Sequence, residues 1–175
     1  YFRMFWKHQI PQHHLCDGQG RQVVIRTIAG QLFSETCPAP PPNSWATREH
    51  AEVAVWVISL APHACWSLPA VGQGVLRSLY VYQGSGLQLL GQKLGIRQRA
   101  VLQRHSAIEL QAGAEGASLL LLQGRPIGEP VAQYGPFVMN SRQEIQQAFS
   151  DYQRTQFGGW SWDSSGPVHP VDQPR

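Results

Sequence analysis

Apolar residues in this chain come in short runs separated at close intervals by glycine, proline, asparagine and aspartate, the pattern of an all-β domain. Val23-Val24-Ile25-Arg26-Thr27-Ile28 follows the turn Asp17-Gly18-Gln19-Gly20 and predicts a strand. Val53 to Leu60 is apolar on both faces, which predicts a strand covered on both sides, as in a sandwich or barrel. Leu79-Tyr80-Val81-Tyr82 and Leu87-Gln88-Leu89-Leu90 flank Gln83-Gly84-Ser85-Gly86 and predict a hairpin. Further strands are expected around 107–110, 118–122 and 131–134, with glycines between them. Cys37-Pro38-Ala39-Pro40-Pro41-Pro42-Asn43 cannot join a sheet, because proline donates no ladder hydrogen bond, and predicts a rigid surface connection. Near the end the period changes. Ser141 and Glu144 form a capping box, and Ile145, Ala148, Phe149 and Tyr152 recur at helical spacing, so a helix is expected over 141–154. The tail over 163–175 has no periodicity and is expected to be loose.

Composition narrows the function classes. Six Trp, six Phe and five Tyr in 175 residues can build a core for a single domain, expected over 1–162. The net charge of +3 comes from scattered cations, without the dense basic stripe that a nucleic-acid groove needs, so no nucleic acid is expected. No apolar run approaches the roughly 20 residues of a membrane helix, so no membrane is expected either. Cys16, Cys37 and Cys65 are far apart and form no CxxC, which predicts three buried, reduced thiols in a cytoplasmic protein. The opening Tyr1-Phe2-Arg3-Met4-Phe5-Trp6 reads like the middle of a longer protein.

Candidate chemistry is sparse. Neither GxSxG, GxxxxGK[ST] nor GxGxxG occurs, which removes the usual serine-elbow and nucleotide-binding readings. His13 and His14 are neighbours and point to opposite sides of an extended segment, so they do not chelate together. Glu49 and Glu52 read as a solvated pair rather than catalytic carboxylates.

One stretch is more specific. Gly124-Arg125-Pro126-Ile127-Gly128-Glu129-Pro130-Val131-Ala132-Gln133-Tyr134-Gly135-Pro136-Phe137-Val138-Met139-Asn140, continued through Phe149, resembles the closing signature of the pirin family. Leu60-Ala61-Pro62-His63-Ala64, Leu68-Pro69 and Tyr80-Val81-Tyr82-Gln83-Gly84 resemble the cupin pattern of the same family, and His63 falls at an expected turn glycine. Residues 1–12 resemble the segment between the two barrels of a pirin. The resemblance implies a cupin-type β-barrel (a jelly roll, or double-stranded β-helix) with one C-terminal α-helix, corresponding to the second half of a bicupin.

It also implies that the metal sits in the first barrel. In a cupin, an HxH pair precedes a glutamate, six residues and a glycine, and a later motif adds one histidine. Taking Gly84 as the glycine leaves Arg77 at the carboxylate position. The HxH window falls near Ala70 to Gln73 and the later histidine near Ala117, and neither place holds a histidine. The expectation is therefore no metal, no cofactor and no catalytic residues in this chain. The main reading is a non-catalytic binding or assembly module. Two alternatives remain: part of a metal-dependent dioxygenase acting on flavonols such as quercetin, or a transcriptional co-regulator that binds proteins. A homodimer is expected, with Phe2, Phe5 and Trp6 as candidate interface residues, and another protein or a small ligand is the further partner to expect.

Overall fold

The structure, a computed structural model, describes residues 4–34, 37–102 and 105–160. The chain divides into two compact units, Tyr1–Ile127 and Gly128–Arg175. Strands β1 (Gln12–Cys16), β2 (Gln22–Ala29), β3 (Ala54–Leu60), β4 (Cys65–Leu68), β5 (Leu76–Gly84), β6 (Leu87–Leu89), β7 (Gln92–Leu94), β8 (Arg99–Leu102), β9 (Ile108–Ala112) and β10 (Ala117–Gly124) form the first unit. They make a six-stranded sheet, β1-β2-β3-β10-β5-β8, and a four-stranded sheet, β4-β9-β6-β7. The inner faces share one core: Ile25, Ile58, Leu79 and Leu119 come from the larger sheet, and Leu68, Leu87 and Leu110 from the smaller. Period-two alternation sets which residues those are. In β3, Ala54, Trp56, Ile58 and Leu60 are buried, while the outward Val55 and Val57 are only half-buried.

Two polar ties join the sheets at opposite ends of β4. At its start, Asp17 in the β1–β2 turn accepts from the backbone N–H of Cys65 at 3.0 Å. The same carboxylate accepts from the N–H groups of Gln19 and Arg21, both at 2.9 Å, and from Arg21 Nε at 2.7 Å. Just past the end of β4, the carbonyl of Pro69 accepts from Arg77 of β5 at 2.8 Å.

The expected hairpin around Gly84-Ser85-Gly86 does not form. β5 pairs with β10 and β8, whereas β6 pairs with β7 and β9, so this turn carries the chain from one sheet to the other. Gly84 at φ +99° and Gly86 at φ +103° permit the change of direction. The real hairpin lies a few residues on. Leu90 and Gly91, both at positive φ, turn β6 into β7 as a type I′ turn would. His63 takes φ +59°, the turn role expected for it. Cys16 is exposed and Cys37 and Cys65 are half-buried, so the expectation of three buried thiols is corrected. All three are free, and Cys37 Sγ donates to the Thr27 carbonyl at 3.1 Å.

In the second unit, β11 (Ala132–Tyr134) and β12 (Phe137–Met139) form a hairpin beside the helix α1 (Arg142–Thr155). Ser141 caps the helix by accepting from the Glu144 N–H at 3.2 Å, and Glu144 reaches back to the N–H of Asn140 rather than of Ser141. Phe137 stacks edge-on with Phe149 at 4.7 Å and with Tyr152 at 6.1 Å. The 163–175 tail lies outside the described residues.

Candidate functional site

Alternation along β5 turns Arg77, Leu79 and Val81 inward and Leu76, Ser78 and Tyr80 outward. Arg77 is accordingly the largest fully buried side chain, 1% exposed. Its guanidinium donates to the Pro69 carbonyl at 2.8 Å and to the Ser106 carbonyl at 3.3 Å. One side chain thus ties β5 to the segment after β4 and to the segment before β9. Burial lowers its pKa from the usual very high value, and an arginine still keeps its charge.

The window of Ala70 to Gln73 is fastened separately. Glu52 Oε2 accepts from the Gly72 N–H at 3.0 Å, and Glu52 Oε1 pairs with Arg125 Nη2 at 3.3 Å. Arg125 also donates to the Gln73 carbonyl at 2.6 Å and to the His50 carbonyl at 2.8 Å. Glu52 is therefore an anchor rather than half of a solvated pair. The anchor escaped the sequence because its partners lie far away along the chain; only the register of β3 against β10 brings Glu52 and Arg125 together.

The predicted site residues only partly converge. Ala70, Gln73 and Arg77 belong to one end of the barrel, but Ala117 does not. It pairs with Gly84, at the other end of β5, while Arg77 pairs with Gln123. The expected grouping of Ala117 with Arg77 is thereby corrected: antiparallel pairing separates them by six positions, about 20 Å of strand. The residue two positions beyond the Ser106 contact is Ile108, fully buried and unable to ligate. Among the described residues, no three His, Cys, Asp or Glu side chains come together in a way that could hold a metal ion. A metal of the cupin kind does not fit these residues, since the position counted for the carboxylate holds a guanidinium that donates to two carbonyls and cannot ligate a cation, and neither Ala70 to Gln73 nor Ala117 offers an imidazole. Phe2 lies outside the described residues; Phe5 and Trp6 are half-buried, and Phe5 lines a cavity of its own barrel.

Residues 55–158 match the model of the pirin C-terminal cupin domain, more than half of the chain. The chain belongs to the pirin family. A Vibrio cholerae protein named "Putative quercetin 2,3-dioxygenase" is 47% identical over 148 residues, covering 85% of this chain and 49% of the relative. A "Pirin-like protein" of Caulobacter vibrioides is 39% identical over 135 residues, covering 77% of this chain and 46% of the relative. A crystal structure of quercetin 2,3-dioxygenase from Acinetobacter baumannii superposes with a TM-score of 0.67 at 28% identity, covering 86% of this chain and 48% of the other. This pirin chain thus spans about half the length of these relatives. Among its described residues no helix is long and apolar enough to cross a membrane.

Proposed function

We propose that this chain is a non-catalytic pirin cupin module that acts through binding and assembly rather than through a metal of its own. Arg77 carries this reading. Its guanidinium stands where the cupin pattern calls for a carboxylate and bonds the Pro69 and Ser106 carbonyls. A fixed cation there repels a divalent ion. The purified chain, incubated with iron, manganese or nickel and then desalted, is expected to retain far less than one metal per chain by elemental analysis and to leave quercetin unoxidised. Close to one metal per chain, bound inside the barrel, overturns the proposal. The name carried by the Vibrio relative supports a second reading, in which a separate metal-bearing barrel supplies the chemistry. Quercetin turnover that appears only after such a barrel is added would favour it.

Assembly has a structural candidate in the outer face of the larger sheet. Leu76, Val101 and Leu122 project from β5, β8 and β10 and are 60%, 53% and 38% exposed. Leu122 pairs with Val55 and Ser78, and Leu120 with Val57 and Tyr80, which joins these residues into one largely apolar surface. Soluble monomers rarely leave such patches open, and one face can meet its own copy across a two-fold axis. The expected species is a homodimer of twice 19.5 kDa by light scattering at micromolar concentration. Leu122→Lys with Val101→Lys should return it to the monomer without unfolding it. A wild-type mass of 19.5 kDa across that range refutes the dimer.

A further inference from the structure

The second unit carries a groove of about 700 Å³, away from the cupin ligand positions. One wall is a stripe of α1: Arg142, Ile145, Gln146 and Phe149 stand at helical spacing and so share a face. The other wall is the stretch from Val131 to Tyr134, which includes β11. Ile145 is buried and Phe149 half-buried, with Tyr134 edge-on to Phe149 at 5.6 Å. Val131 and Tyr134 are 75% and 68% exposed, so the groove is apolar yet open to solvent.

Among the described residues, Arg142 is the one charged side chain that lines it, and no carboxylate pairs with that guanidinium. The nearby acids are engaged elsewhere. Asp151 pairs with Arg154 at 2.9 Å, Glu144 accepts from Ser141 Oγ at 2.9 Å, and Glu129 accepts from Asn140 Nδ2. Nor does the helix gain from this cation, because the first turn of a helix favours negative charge and opposes positive charge. An apolar groove with one unpaired guanidinium at its end complements an anion on an apolar stem, and the planar fork matches a carboxylate.

We propose that this groove binds an aliphatic monocarboxylate, its carboxylate on Arg142 and its chain lying along Ile145 toward Phe149 and Tyr134. From Arg142 to Phe149 the helix rises about 10 Å, which suits a chain of about eight carbons. The inference is independent of the metal question and of the dimer face, both of which belong to the first unit.

Octanoate and octylamine test it, because they share a chain and differ in the sign of the head group. Titration of the full chain, followed by side-chain NMR, is expected to move the Arg142 Nε–H, Ile145 methyl and Phe149 ring signals with octanoate. Octylamine should bind about tenfold more weakly. Arg142→Gln should remove that preference. Gln146→Glu sets a carboxylate one turn from Arg142 and should weaken octanoate by a similar factor. Both positions are exposed, so both variants should keep the wild-type circular dichroism. Equal affinity for the two probes in the wild-type chain, no binding of octanoate, or unchanged octanoate binding in Arg142→Gln overturns the proposal. Octanoate shifts that fall on the first unit instead overturn it as well.

Discussion

Replacing Arg77 with alanine is expected to lower the unfolding free energy by about 3–5 kcal/mol, a large share of the roughly 5–15 kcal/mol typical of a domain. The change strips donors from two backbone carbonyls, Pro69 and Ser106, in a region closed to water. Each buried acceptor left unmet costs about 1–3 kcal/mol, and the lost side-chain volume adds a cavity. Urea unfolding followed by circular dichroism measures it, as a fall in midpoint at constant slope. Arg77→Lys keeps a charge but not the planar fork, so it should recover only part of the loss. Arg77→Met separates packing from bonding, since it restores most of the volume and no donors. If Arg77→Met proves as stable as the wild type, the guanidinium is filler and not a tie.

Gly84→Ala is the second large effect, expected at about 3 kcal/mol or more. Gly84 sits at φ +99°, where an L side chain is strained, and a Cβ there would overlap the Gly116 carbonyl and lie 2.9 Å from Ala117 Cα. Those atoms are backbone and cannot rotate away. The substitution must push β5 from β10 where Gly84 pairs with Ala117. Gly91→Ala is the control, because Gly91 also has positive φ (+74°) but open space around it. It should cost only the conformational penalty, about 1–2 kcal/mol. Equal losses at the two sites, read from thermal melts of both variants, would contradict this account.

How far the sequence revealed this pirin domain depended on whether a feature was local. The run Val53 to Leu60 is apolar enough to announce a strand, although only one of its faces proves fully buried, and Ser141 with Glu144 caps the helix within four residues, so both elements were legible. The hairpin was misplaced because Leu90 adopts a left-handed conformation that its residue type disfavours; the apolar run 87–90 concealed the turn that begins inside it. Arg77 was found by counting back from Gly84 along one strand. Ala117 was not placed correctly, because where it falls depends on how β10 pairs with β5, and that register is fixed by pairing between distant segments rather than by nearby sequence. Trp56 looked like one more core residue. That its ring is packed while its N–H has no partner is visible only in three dimensions.

The two ties across the sheets respond differently to acid. At the Asp17 end, burial alone would raise the carboxyl pKa, but the N–H groups of Cys65, Arg21 and Gln19 and the Arg21 side chain outweigh it and hold the group far below the usual carboxylate range. A lowered native pKa stabilises the fold above the unfolded value, near 4, and that stabilisation fades as pH falls below it. Folding in acid must therefore release a proton at this turn. The Arg77 tie itself has no matching dependence, because a guanidinium does not titrate in that range. Acid thus draws on the stability supplied by the tie at the β1–β2 turn and leaves the bonds from Arg77 to Pro69 and Ser106 untouched.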